Sequence, residues 1–193
     1  IIKFVSEKTG NYLVFFPSYQ ILQAIGEHLE NFILKDSSRE TTEIEKRESI
    51  PEKRIHIYPQ STSMTEEEKE TFLSHFTENP IETNVGLCVM GGIFSEGIDL
   101  KKDRLIGAVL VGTGLPMVCT ENELFKDYFQ EKKKDGFSYA YQFPGMNKVL
   151  QAAGRVIRTT EDKGAILLLD DRFLQNSYQN LFPREWFPYK TVT

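Results

Sequence analysis

Gln151-Ala-Ala-Gly-Arg155-Val-Ile-Arg158 places two guanidiniums and an amide at spacings of three and four. On a helix advancing about 100° per residue, Gln151, Arg155 and Arg158 fall within roughly a 60° arc. Val149, Leu150, Ala152, Ala153, Val156 and Ile157 fill the opposite side. The pattern predicts one buried face and one face aiming both arginines at a single point. Neighbouring like charges on an exposed helix repel by roughly 0.2–0.5 kcal/mol, so packing gives no reason to pair them. A polyanion does, and a phosphate chain is the simplest, because the guanidinium fork matches its oxygens. A solvated basic face would satisfy the same spacing.

A second constellation is Gly91-Gly92 followed by Ser95-Glu96-Gly97-Ile98-Asp99. The glycines permit a tight turn and close backbone approach to a ligand. Ser95 brings a hydroxyl, and Glu96 and Asp99 bring carboxylates. Carboxylates do not hold phosphate directly; they would bind a sugar hydroxyl or orient a neighbouring arginine. An ordinary strand–loop turn has the same composition. Cys88 and Cys119 lack a paired spacing and read as reduced thiols. His28, His56 and His75 show no ligand spacing, so no metal site is expected in this chain.

These residues need a frame. Apolar runs rich in strand formers occur at 11–16, 54–58, 84–90, 108–111 and 165–169. Helical spacing separates them. Ser18 is a plausible N-cap for a helix from Tyr19 to about Phe32, and Thr65 with Glu68 makes a capping box before Phe72, Leu73 and Phe76. Thr120 with Glu123 suggests another box, for a helix burying Leu124, Phe125, Tyr128 and Phe129 and closing at Lys132-Lys133-Lys134, where cations suit the dipole. Phe137, Tyr139, Tyr141 and Phe143 alternate like a half-buried edge strand, although the same rings could stack on bases. Residues 35–53 are charged and nearly bare of apolar side chains, which predicts an exposed excursion. Phe182, Trp186 and Phe187 in the tail should cap the core.

Strands alternating with helices predict an α/β, three-layer domain over residues 1–193 with a mostly parallel sheet. Ligands of such sheets lie at the carboxyl ends of the strands. Pro17-Ser18, Ser95 to Asp99 and Asp170 to Arg172 all follow strands and belong on that edge.

The 193 residues carry a formal net charge of −5, which argues against a chain-wide electrostatic grip on nucleic acid but leaves room for a locally basic groove. No apolar run approaches the roughly 18 residues of a membrane span, and no signal-like segment opens the chain, so a cytoplasmic location is expected. An opening at Ile1 rather than Met suggests a piece of a longer polypeptide.

Gly91-Gly-Ile-Phe-Ser-Glu-Gly-Ile-Asp-Leu100 resembles motif V of the XPD/DinG family of superfamily 2 helicases. Gln151-Ala-Ala-Gly-Arg-Val-Ile-Arg158, followed by Glu161-Asp-Lys-Gly and Leu168-Leu-Asp-Asp-Arg-Phe173, resembles its motif VI and the next strand. Tyr12-Leu-Val-Phe-Phe-Pro-Ser-Tyr19 resembles motif IV. The order is right, the match runs over nearly the whole chain, and its texture is nearest to bacterial DinG.

The resemblance implies the second RecA-like motor domain of an ATP-dependent DNA helicase, moving 5′ to 3′. Mg²⁺ and the phosphates of ATP would be held mostly by a first, N-terminal motor domain of the same polypeptide. The chain itself contains no Gly-x-x-x-x-Gly-Lys-Ser/Thr loop, so alone it should not hydrolyse ATP. An iron–sulfur cluster, if the parent has one, would belong to that missing half and not to this chain. By the same resemblance Arg155 and Arg158 are arginine fingers with Gln151 beside them. Glu96, Gly97 and Asp99 lie against the nucleotide, and Ser18, Tyr19 and Ser95 meet single-stranded DNA. The alternatives are a non-catalytic nucleotide- or nucleic-acid-binding module on the same fold, and an RNA-directed motor.

Overall fold

The computed structural model describes residues 1–37, 54–95, 98, 100, 102–157 and 162–192. Strands β1 (Asn11–Phe16), β2 (Ile55–Pro59), β3 (Thr83–Val89), β4 (Gly107–Val111) and β5 (Ala165–Leu169) form one sheet in the order β2-β3-β1-β4-β5. Every pairing is parallel. Each expected strand is present to within one residue at either end.

β1 and β3 are buried along their whole length, which is why past their polar first residues, Asn11 and Thr83-Asn84, their sequences run on without polar alternation. Alternate residues still serve different layers. Tyr12, Val14, Phe16, Val85, Leu87, Val89 and Val109 face one side, against Val5 of α1 (Ile2–Ser6) and Leu22, Ile25 and Leu29 of α2 (Tyr19–Ser37). Leu13, Phe15, Cys88, Ala108 and Leu110 face the other. There they meet Phe72 of α3 (Glu66–Ser74), Phe76 just after it, and Met146, Val149 and Ala152 of α5 (Phe143–Ala153). Each Leu or Phe so buried contributes roughly 1.5–3 kcal/mol. Phe16 pairs with Val89, so β1 and β3 end flush and their following loops leave the same edge side by side.

At the opposite, amino edge a buried amide staples the strands. Asn11 Nδ2 donates to Thr77 O at 2.7 Å and to Asp103 O at 3.1 Å, and its Oδ1 accepts from Asn84 Nδ2 at 2.9 Å.

The capping box of α3 is present: Glu68 N donates to Thr65 Oγ1 at 3.2 Å and Thr65 N to Glu68 Oε2 at 2.7 Å. The tail caps the core through Tyr178, which is buried, and Phe182 and Trp186, packed on the α3/α5 layer, whereas Phe187, expected to join them, stays 49% exposed against the Phe182 ring. The charged excursion expected at 35–53 begins inside α2, which runs to Ser37; residues 38–53 lie outside the described residues.

Three expectations are corrected. The helix α4 (Thr120–Glu131) has Cys119 as N-cap with no side-chain cap bond, so Thr120 and Glu123 form no capping box. Nor does α4 bury its apolar residues: Leu124, Phe125 and Tyr128 are 65%, 49% and 54% exposed. Its contacts run to a neighbouring helical turn instead of the sheet, through the Phe129–Tyr139 ring stack and a 2.6 Å bond from the Tyr141 hydroxyl to Glu123.

That turn, Ser138–Gln142, is the second correction. It is a π-helix leading into α5, not an edge strand. Aromatics at every second position from 137 to 143 are also two i,i+4 pairs, and the fold realises them that way. Phe137 stacks on Tyr141 at 5.6 Å, and Tyr139 meets Phe143 edge-on at 5.2 Å. Asp135 opens this helical stretch by accepting from Ser138 N at 3.2 Å and Ser138 Oγ at 2.7 Å. Third, α5 ends at Ala153, so of the Gln/Arg segment only Gln151, Ala152 and Ala153 lie on the helix among the described residues.

Candidate functional site: the carboxyl edge of the sheet

Four segments converge beyond the carboxyl ends of β1, β2 and β3. Pro17 stops β1. Ser18 O then accepts from Leu22 N at 3.0 Å, and Ser18 Oγ accepts from Ile21 N at 3.4 Å, the long end of a capping bond. Tyr19 leans its ring on the α2 layer, and its hydroxyl accepts from Gln60 Nε2 at 2.7 Å.

Gln60 follows β2 and is only 4% exposed. Its backbone N–H donates to Leu87 O at 2.8 Å, prolonging the β2–β3 ladder, and its Oε1 accepts from Val89 N at 3.0 Å. Nothing in its spacing marked it. The available signal was a lone amide directly after a strand and a proline.

β3 continues into the glycine loop. Gly91 has φ +71°, a conformation that a side chain would strain, and its Cα faces the Lys148 stem, whose Cδ would lie 3.4 Å from an added Cβ. Gly92 N donates to Val89 O at 3.1 Å and Ser95 N to Gly92 O at 2.9 Å, closing two successive turns. Ser95 is 0% exposed. Its hydroxyl donates to Val89 O at 3.1 Å and accepts from Gly91 N at 3.0 Å. Expected on the DNA-facing rim, the Ser95 hydroxyl is thus turned inward and used within the loop. After it, Ile98 and Leu100 return to the core, 5% and 3% exposed.

The fourth segment is the end of α5. Pro144 sits in its first turn, and Gly145 lies so close to Gly114 (φ +66°) that a Cβ on Gly114 would stand 2.7 Å from Gly145 O. Past Gly154 the chain tightens into i→i+3 bonds, Arg155 N to Ala152 O at 3.2 Å and Val156 N to Ala153 O at 3.1 Å. This turn buries Val156 and leaves Arg155 half-buried, with Nε donating to Ser95 O at 2.8 Å. Two segments sixty positions apart are joined by that bond. Gln151 is exposed on the last turn of α5, one helical step from Lys148.

Of the residues singled out by sequence, the structure brings Arg155 and Ser95 together and sets Ser18 and Tyr19 on the neighbouring part of the same edge. Arg158, Glu96, Gly97 and Asp99 lie outside the described residues. Further along the edge, Arg172 binds Asp170 through both carboxylate oxygens, at 2.8 and 2.7 Å. That guanidinium holds the Asp170 carboxyl below its ordinary value. Among the described helices none is long and apolar enough to cross a membrane.

A five-stranded parallel sheet of this order, covered on both faces, is the RecA-like architecture of XPD helicases. The chain superposes on XPD in its apo form with a TM-score of 0.64 at 22% identity, over 93% of this chain and 32% of that one. On Xpd4 of S. tokodaii the score is 0.57 at 17% identity, over 95% and 31%. In sequence it is 26% identical over 184 residues to a probable ATP-dependent helicase of Methanocaldococcus jannaschii, covering 90% of this chain and 25% of that protein. It is 30% identical over 187 residues to the ATP-dependent DNA helicase CHL1 of Kluyveromyces lactis, covering 90% and 21%. It is 32% identical over 190 residues to a regulator of telomere elongation helicase 1 homolog of Culex quinquefasciatus, covering 90% and 17%.

The family description "Helicase C-terminal domain" matches residues 1–189. The chain belongs to that family and is a helicase C-terminal domain of the XPD-like kind, spanning a quarter or less of the length of these relatives.

Proposed function

We propose that this chain is the second motor domain of an ATP-dependent DNA helicase. In this reading it closes over a nucleotide held mainly by an N-terminal motor domain and moves single-stranded DNA 5′ to 3′. The observation that carries the proposal is the Arg155–Ser95 bond, which links the arginine segment to the glycine loop on the ligand-binding edge of the sheet. A half-buried arginine anchored through Nε is pre-aimed, so little orientational freedom is lost when its terminal nitrogens meet a phosphate.

Bound Mg–ATP supplies the phosphoryl group whose transition-state charge needs neutralising. Arg155 and Arg158 supply the positive charge, and Gln151, exposed on the last turn of α5, supplies an amide. Glu96, Gly97 and Asp99 contact the nucleotide or orient the arginines. Ser18 and Tyr19 meet the DNA backbone at the start of α2, where orphan N–H groups favour phosphate whatever the net charge. Ser95 serves from beneath, shaping the loop and holding Arg155.

The test is ATP turnover by the full-length protein with and without single-stranded DNA. Arg155→Ala and Arg158→Ala should each lower DNA-stimulated turnover about 10³-fold or more while thermal unfolding stays cooperative. Wild-type turnover in both variants would refute the assignment. Stimulation by RNA in place of DNA would redirect the substrate.

A further inference from the structure

Gln60 lies outside every motif named above, yet its buried amide joins the ends of β2 and β3 to the first residue of α2. Its orientation is decided by its neighbours. Val89 N–H can only donate, so Gln60 presents Oε1 to it, and Nε2 is left facing Tyr19 at 2.7 Å. An amide NH₂ can only donate as well, so the Tyr19 oxygen accepts that bond. The phenolic proton is therefore not spent on Gln60. Among the described residues the Tyr19 hydroxyl has no acceptor of its own. Partial burial also holds the phenol above its ordinary value, so it stays a protonated donor at neutral pH.

We propose that Gln60 is a positioning residue that fixes the Tyr19 hydroxyl as a hydrogen-bond donor to a non-bridging phosphate oxygen of the bound strand. The inference rests on the reading of this edge as a DNA contact. The same amide accepts from Val89 N, and Val89 O accepts from Ser95 Oγ, whose carbonyl holds Arg155. Gln60 thus ties the tyrosine that meets the strand to the loop that holds the arginine.

Two substitutions separate donor polarity from folding. Gln60→Glu keeps an acceptor for Val89 N–H but also accepts from Tyr19, which reverses the hydroxyl and withdraws its proton from the strand. Gln60→Met keeps the length and loses both bonds. The measurement is binding of a fluorescein-labelled oligo-dT to the full-length protein carrying Gln60→Glu, Gln60→Met, Tyr19→Phe, Ser18→Ala or the Gln60→Met/Tyr19→Phe pair, with melting temperature followed in parallel.

Tyr19→Phe should weaken binding about 5–10-fold, and Gln60→Glu at least as much without loss of cooperative unfolding. Gln60→Met should add nothing further once Tyr19 is Phe, a non-additivity that a purely structural role would not produce. Additive losses, or wild-type binding by Gln60→Glu when Tyr19→Phe is weakened, would overturn the positioning role and leave the DNA-facing edge standing. Unchanged binding in Ser18→Ala, Tyr19→Phe and Gln60→Glu alike would remove the edge as a DNA contact, and the inference with it.

Discussion

The two edges of this sheet each bury an amide side chain, and they use it differently. At the amino edge Asn11 closes a ring of bonds on Thr77 O, Asp103 O and Asn84, every one ending on another protein group. At the carboxyl edge Gln60 receives Val89 N–H and passes its own N–H to a tyrosine whose proton is left to give away. Both cost desolvation, and both repay it in hydrogen bonds. The closed network holds strands together, whereas the open one ends on a half-buried tyrosine hydroxyl that keeps its own proton. Buried polarity by itself therefore does not mark a site; the direction in which its last donor points does.

The comparison can be broken experimentally. The largest effect belongs to the open edge: Arg155→Ala in the full-length protein should lower DNA-stimulated ATP turnover about 10³-fold, whereas Asn11→Ala should leave turnover per folded molecule unchanged. On stability the order reverses. Asn11→Ala strands two carbonyls and an amide in the interior and should cost about 2–4 kcal/mol in urea unfolding of this chain. Ser95→Ala sharpens the contrast more gently: about 1–3 kcal/mol is lost because Gly91 N–H loses its acceptor, while Val89 O keeps the Gly92 N–H and Arg155 keeps the Ser95 backbone carbonyl, so turnover should fall far less than in Arg155→Ala.

Asp170 gives a smaller, pH-dependent effect. Its folded-state carboxyl titrates below its ordinary value of 3.8 because Arg172 binds it. The stability it adds is fully present above that ordinary value and is lost as the pH falls through the lowered one. Asp170→Asn should therefore flatten the acid limb of a stability–pH profile and leave neutral turnover intact. The smallest effect is expected on α4, where Leu124→Ser should change stability by less than about 0.5 kcal/mol, since that side chain is 65% exposed.

How far the fold was legible depended on how many structures one pattern could serve. The strands were plain because a strand covered on both faces needs a continuous apolar run, and Tyr12-Leu-Val-Phe-Phe16 fits little else. The run from Phe137 to Phe143 was ambiguous, since a spacing of two is also half a spacing of four. The Asp135 cap and ring partners on α4 selected the helix. α4 misled because its apolar spacing is helical but it packs on the Ser138–Gln142 turn rather than on the sheet, and that contact covers only part of its apolar side, so amphipathicity there did not mean burial. In the site, the residue types in the Arg155 segment and the Ser95 loop were visible. The Ser95 hydroxyl was assigned outward because spacing does not record which way a turn folds its side chain.

The sequence by itself determined the strands, the capping box of α3, and the kinds of group delivered to the carboxyl edge. Those follow from local periodicity and turn chemistry, which act over a few residues. Only the tertiary structure decided the strand order β2-β3-β1-β4-β5, the 2.8 Å bond between Arg155 and Ser95, and the polarity of the Gln60–Tyr19 pair. Each of these joins segments tens of positions apart, and their meeting is set by how two helical layers pack on one sheet, which no local pattern encodes.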